Sequence, residues 1–198
     1  MRKLLLLLGV ALSLTAFSQE KNKEVSIAVT NNHTAYPFAS FSKLFTGPYH
    51  PGFELGYGFD WRTRKKHDWT QAFHIGYFYH RFVQHGIPIY TQFGYRYRPW
   101  ERINFNADIG AGYMHSIPAT AVLKANDNGD YSKSKGIGRG QAIANFCIGA
   151  RYKLDKTTNS PAVFIQYTQQ LQTPFINSYV PLLPYNTMAV GFVMPFKK

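Results

Sequence analysis

The chain has 198 residues, with 22 Lys and Arg against 10 Asp and Glu, 17% aromatic and 16% charged residues, and one cysteine. That length suits one domain or two very small ones, and the charged fraction is below the ~25% usual in soluble domains. One cysteine excludes an internal disulfide framework and a cysteine-based zinc cluster, and 45% hydrophobic residues exclude a disordered chain.

Residues 1–18 read as a cleaved export signal. Arg2 and Lys3 form a charged start, Leu4 to Leu14 an apolar stretch, and Ala16-Phe17-Ser18 places small residues where a signal peptidase reads, so cleavage is expected before Gln19. The apolar stretch is shorter than the ~20 residues of a spanning helix and ends in a polar run. The expected organisation is therefore a signal at 1–18 and one domain over 19–198.

Beyond the signal, apolar and polar residues alternate. A short alternating run lies at 25–30 (Val25, Ile27, Val29). Segment 53–62 sets Phe53, Leu55, Tyr57, Phe59 and Trp61 against Glu54, Gly56, Gly58, Asp60 and Arg62. In 69–82, Phe73, Ile75, Tyr77 and Tyr79 oppose Ala72, His74, Gly76 and His80. In 87–98, Ile89, Phe93, Tyr95 and Tyr97 oppose Tyr90, Gln92, Gly94, Arg96 and Arg98. Segments 103–116 and 141–153 continue the pattern, with Asp108, Ser116, Cys147 and Arg151 on the polar face; weaker versions follow at 161–172 and 186–196. Period-two alternation of this length predicts eight strands.

Two architectures compete: a soluble sandwich or lipocalin-like barrel with its apolar face inward, and a membrane barrel with that face outward. Three features favour the second. The strands are long enough for a tilted crossing of hydrocarbon. Eight glycines (56, 58, 76, 94, 110, 112, 149, 191) fall on the polar face, where a narrow barrel is crowded. Short connections (63–68, 99–102, 154–160) alternate with long ones (31–51, 117–140, 173–185), apart from a tight turn expected near Gln84-His85-Gly86. From a periplasmic N-terminus, every short turn falls in the periplasm. The expected fold is all-β: an eight-stranded antiparallel transmembrane barrel with short periplasmic turns and longer extracellular loops.

In architecture the chain resembles the small eight-stranded outer-membrane barrels of the OmpA-transmembrane-domain and OmpX-like group. The last strand, Met188-Val190-Phe192-Met194-Phe196, looks like the aromatic-ended strand read by barrel-insertion machinery, with Lys197-Lys198 as a departure. The Phe-Ser-Gln cleavage region looks like exported proteins of the Bacteroidota. The resemblance implies a Gram-negative outer membrane, with outer-membrane lipids as partners and other outer-membrane or periplasmic proteins as a second class.

Basic residues gather toward the expected periplasmic rim, including Arg62, Arg64, Lys65, Lys66, Arg102, Lys153 and Lys156, and Trp61, Trp69 and Trp100 lie there as an aromatic girdle. Such a rim serves anionic headgroups or a periplasmic partner, or merely snorkels at the hydrocarbon edge. Aromatic and basic residues interleave only through strand alternation, so nucleic acid is not an expected partner. Inside, Asp60, Asp108, Arg96, Arg98 and Arg151 among amides predict a polar plug, with a narrow solute conduit as the alternative; Asp108 is expected diagonally near Arg96.

One catalytic arrangement is worth testing. Register from the turn at 63–68 places Glu54 across from Phe78 and diagonally near His80, with Tyr90 and Ser116 inward at similar height. A carboxylate orienting a histidine that activates a serine is triad logic. The family resemblance includes lipid A acyltransferases and deacylases, although no His-x-Ser-Asn motif is present. Ordinary hydrogen bonding in the lumen accounts for the same residues, and His80 and Ser116 sit two strands, ~10 Å, apart.

His115 and Ser116 point to opposite faces, and the seven histidines form no tight pair on one face, since His74 and His80 share a face but lie ~20 Å apart, so no metal or cofactor is expected. Asn126 to Asp130 lacks the full calcium-loop pattern, and Gly136 to Gly140 precedes a strand rather than the helix of a phosphate cradle. Aromatic and proline-rich outer loops, such as Phe45 and Pro48-Tyr49-His50-Pro51, serve either as a lid over the mouth or as a protein-contact patch. The expected function is a non-enzymatic envelope component or docking partner; the alternatives are a lipid-modifying enzyme using Glu54, His80 and Ser116, and a narrow channel.

Overall fold

The computed structural model describes residues 22–34, 42–120, 122–125, 131–134, 137–157, 160–175 and 181–196. Eight long strands form a closed barrel: β1 (Lys23–Thr34), β2 (Pro51–Thr63), β3 (His67–His80), β4 (Gln84–Tyr97), β5 (Ile103–Pro118), β8 (Arg139–Lys153), β9 (Ala162–Thr173) and β10 (Leu183–Phe196). Each pairs antiparallel with its neighbours, and β10 returns to β1 to close the wall. A small hairpin, β6 (Val122–Ala125) and β7 (Tyr131–Ser134), interrupts the long connection before β8, and a single helical turn, α1 (Lys43–Thr46), lies between β1 and β2. The expected signal at 1–18, the Asn126 to Asp130 loop and Lys197-Lys198 lie outside the described residues.

The alternating residues orient as their chemistry requires. Ile27, Val29, Phe53, Leu55, Phe73, Ile75, Ile109 and Val190 are exposed on the outer face, whereas Asp60, Asp68, Gln92, Arg96, Asn104 and Thr168 are buried inside. A soluble barrel would show the reverse. The eight glycines expected on the polar face (56, 58, 76, 94, 110, 112, 149, 191) all face the lumen, and none of them is exposed, whereas Gly140 at the start of β8 is exposed. Gly94 shows why: a Cβ there would stand 1.7 Å from the Asp108 carboxylate on the next strand.

Two expectations are revised. The turn joining β3 to β4 is at 81–83, where Val83 N–H donates to the His80 carbonyl at 3.0 Å, and Gln84-His85-Gly86 is already strand. Gly86 is a packing glycine: the Phe78 ring fills the space its Cβ would take, 2.3 Å away. In addition, the lumen is not polar throughout. Phe78, Tyr90, Met114, Ile143 and Tyr185 form a buried apolar waist, because Phe78, Met114 and Ile143 fall in the inward parity of otherwise polar faces. β1 also runs past its apolar stretch, since Asn31, Asn32 and His33 continue its pairing after the outer face turns polar.

Candidate functional site

The lumen is a concave, polar environment among the described residues, and its side chains stack in layers. At the short-turn end the layer is ionic. Glu24 Oε1 accepts from Arg96 Nη2 at 2.8 Å and from Arg151 Nη1 at 2.6 Å, tying β1 to β4 and β8 across the lumen. Arg96 also reaches Asp60 at 3.4 Å, and Arg98 pairs with Asp68 at 2.8 Å. The space left among these groups is ≈ 50 Å³. Asp108 lies opposite Gly94, diagonal to Arg96 as expected, but it accepts from Asn106, and the carboxylates bonded to Arg96 are Glu24 and Asp60. Glu24 stands one residue before the alternating run at 25–30 begins, so that run does not include it.

Above this, Gln92 Nε2 donates to Asn145 Oδ1 at 2.9 Å, and Cys147 is wholly buried and free. Glu54 follows. Its carboxylate accepts from His74 Nδ1 at 3.0 Å and from the Tyr90 hydroxyl at 2.5 Å, while the His74 and Tyr90 rings stack at 4.8 Å. Over the waist, Gln84 and Gln172 form a reciprocal amide pair (2.8 and 3.0 Å); Ser116 donates to Gln84, and Gln172 donates to Gln141. His50 and His80 cap this end, stacked at 3.8 Å with their planes 8° apart. His80 Nε2 bonds the Thr34 hydroxyl at 3.2 Å, and His50 Nδ1 donates to the Asn32 carbonyl at 2.9 Å.

The structure therefore gives each candidate catalytic residue a different partner. Glu54 engages His74 and Tyr90, His80 engages His50 and Thr34, and Ser116 engages Gln84. The expected register of Glu54 opposite Phe78 is corrected to Gly76. Thr63 pairs with Asp68, and a bulge at Trp61, between Asp60 and Arg62, moves the register again. The His74 partnership follows from that shift, because a two-residue slide keeps the same face but moves every height. The space beside Glu54, between Tyr90 and Tyr185, is ≈ 20 Å³, and neither His80 nor Ser116 lines it.

Other histidines belong to the outer wall. Tyr77 bonds His85 at 2.8 Å and Tyr113 bonds His115 at 3.0 Å, so these polar tips are satisfied on the outer face near the long-loop rim. His33 lies 6.3 Å from His50, but among the described residues no group of three or more His, Cys, Asp or Glu side chains has a metal-holding arrangement. The described part of the first long loop packs along the wall. Asn31 Nδ2 donates to the Leu44 carbonyl at 2.7 Å and Asn31 Oδ1 accepts from His50 N–H at 2.9 Å, so one outward asparagine pins the segment at both ends.

No family model matches the chain, and no curated protein sequence matches it. Similarity lies in architecture. The structure of Neisserial surface protein A is 9% identical with a TM-score of 0.52, covering 90% of this chain and 98% of that one. The outer membrane enzyme PagL is 12% identical with a TM-score of 0.49, covering 87% and 99%. Ail, the attachment invasion locus protein of Yersinia pestis, is 14% identical with a TM-score of 0.47, covering 90% and 100%. At 9% identity the likeness to Neisserial surface protein A bears on the fold alone, and with the closed eight-strand topology it establishes a small eight-stranded β-barrel of the outer-membrane type. The comparisons give no support to a Bacteroidota origin.

Proposed function

We propose that this chain is an integral outer-membrane protein of a Gram-negative bacterium, exported by removal of residues 1–18, that acts as a non-enzymatic component of the envelope. The observation that carries this reading is a wall apolar outside combined with a lumen filled inside. Side chains such as Ile109 (63% exposed) and Val29 (62%) are stable only against hydrocarbon, while the luminal layers leave spaces of ≈ 50 and ≈ 20 Å³, the second lined by Phe78, Tyr90 and Tyr185 of the apolar waist. With the short turns in the periplasm, Trp61, Trp69 and Trp100 form the inner aromatic girdle and the tyrosine–histidine pairs the outer one. Phe45, Tyr49, Phe82 and Ile137 are exposed toward the long-loop rim, which supports a docking role for other envelope proteins.

The test combines extraction and conductance. The protein is expected to leave membranes only with detergent, to change gel mobility on boiling, and to give no single-channel openings in planar bilayers. Regular openings would restore the narrow-channel reading, and extraction by aqueous buffer alone would remove the membrane reading.

A further inference from the structure

The short-turn rim is not uniformly basic. Glu101 and Lys156 pair at 3.7 Å, joining the β4–β5 and β8–β9 turns, and the inward cations Arg96, Arg98 and Arg151 are matched by carboxylates. The β2–β3 hairpin differs. Arg62, Arg64, Lys65 and Lys66 are all exposed, and none of them is in an ion pair with a described residue. The turn that carries them is held in shape. Arg64 N–H donates to the His67 carbonyl at 2.8 Å, Arg98 N–H to the Lys66 carbonyl at 2.9 Å, and the Arg98 guanidinium bridges the Arg64 carbonyl and the Asp68 carboxylate. Four exposed cations thus stand on one ordered turn, none of them ion-paired with a described residue.

The same strands carry a second feature. Across the outer face one cross-strand row runs Tyr57, Phe73, Thr91, Ala111, two large side chains followed by two small ones. The step in size opens an apolar groove of ≈ 640 Å³ over β2–β5, walled by Leu55, Tyr57, Phe73, Ile75 and Tyr113 with Ala111 at its floor. Phe73 is four residues above Trp69, ~13 Å along the strand, and seven above Lys66, ~23 Å. One leaflet of hydrocarbon is about 15 Å deep, half of a ~30 Å core. A lipid with its phosphate at the hairpin therefore places the far part of an acyl chain in the groove.

We propose that the β2–β5 face is a binding site for one anionic diacyl glycerophospholipid. Its phosphate lies against Arg62, Arg64, Lys65 and Lys66, and one acyl chain lies in the groove. This rests on the membrane reading above and names a lipid partner for it. Charge complementarity selects the anionic headgroup, and the groove selects a lipid over a soluble phosphate.

The full mature chain, purified in a neutral detergent and checked for heat-dependent gel mobility, would be offered equal amounts of phosphatidylglycerol and phosphatidylcholine with identical chains. Native mass spectrometry reads retained lipid. Preferential retention of one phosphatidylglycerol is expected, unaffected by excess glycerol phosphate. Neutralisation by R64Q, K65Q and K66Q, singly and together, should lower that preference about fivefold per cation, corresponding to ~1 kcal/mol per basic residue at an anionic surface. Ala111→Phe, which fills the groove, should reduce retention of both lipids and leave their ratio intact. Equal retention of the two lipids, an unaltered preference in the triple variant, or full competition by glycerol phosphate would each overturn the proposal. None of these outcomes touches the membrane reading, which fails separately if the chain is soluble without detergent.

Discussion

The two ends of the lumen are sealed by different chemistry. The short-turn end uses full charges, with Glu24 held between Arg96 and Arg151 and with Asp60 and Asp68 beside Arg96 and Arg98. The long-loop end uses neutral groups, the Gln84–Gln172 pair with Gln141 and Ser116, under the stacked imidazoles of His50 and His80. Both cross-link distant strands, yet they respond differently to damage. A buried charge whose partner is removed keeps its full desolvation cost, whereas an amide that loses a partner leaves only a dipole unsatisfied. The ionic end is thus the brittle one, and the amide end tolerates change.

The largest effect is expected from Glu24→Ala, which strips one carboxylate from the buried Arg96 and the half-buried Arg151 guanidinium groups. Loss of ~3–5 kcal/mol is expected, measured as a lowered urea midpoint for folding into detergent or bilayers. Adding Arg151→Met to that variant should recover a large part of the loss, because the orphaned charge is then gone. A loss below ~1 kcal/mol would mean that solvent reaches this layer and that the barrel is not closed there.

A smaller loss is expected at the other end. Gln172→Leu keeps the volume but leaves Gln141 Oε1 without the donor Gln172 and Gln84 Nε2 without its acceptor, while Gln84 Oε1 keeps Ser116. The expected cost is ~1–3 kcal/mol in the same measurement. A cost equal to that of Glu24→Ala would erase the distinction between the two ends.

The same contrast shows what alternation in the sequence can convey. Faces are legible: parity alone sets Phe53, Leu55 and Tyr57 against Gly56, Gly58 and Asp60 and marks the eight long strands, while strand length, the glycines of the polar face and the alternation of loop lengths turn the apolar face outward. Heights are not. The pairing of Thr63 with Asp68 and the bulge at Trp61 change no residue's chemistry, yet together they move Glu54 from Phe78 to Gly76 and give it His74 instead of His80. Contacts across the lumen are also silent in sequence, since Glu24 and Arg151 are 127 positions apart. The waist escaped notice for a simpler reason: Phe78, Met114 and Ile143 are apolar residues in inward positions, and pattern reading sorts residues by chemistry before parity. The turn at 81–83 was hidden by Gly86, whose glycine serves the Phe78 ring rather than a bend.

The smallest expected effect is also the one that separates structural from catalytic readings of the mouth. His80 stacks on His50 and bonds Thr34, and neither Glu54 nor Ser116 is bonded to it. His80→Ala therefore removes one ring stack and one hydrogen bond, about 1 kcal/mol in all. The lipid profile of outer membranes carrying this variant should match wild type in acyl-chain number, as should that of a deletion strain. A triad histidine behaves in the opposite way, with a small stability change and an abolished product. If deletion alters acylation and only wild type restores it, the mouth rearranges in the membrane to bring Glu54, His80 and Ser116 together. Matching profiles in all three strains leave His80 as a cap on the amide end of the plug, where its stacked ring shields the glutamine pair from water.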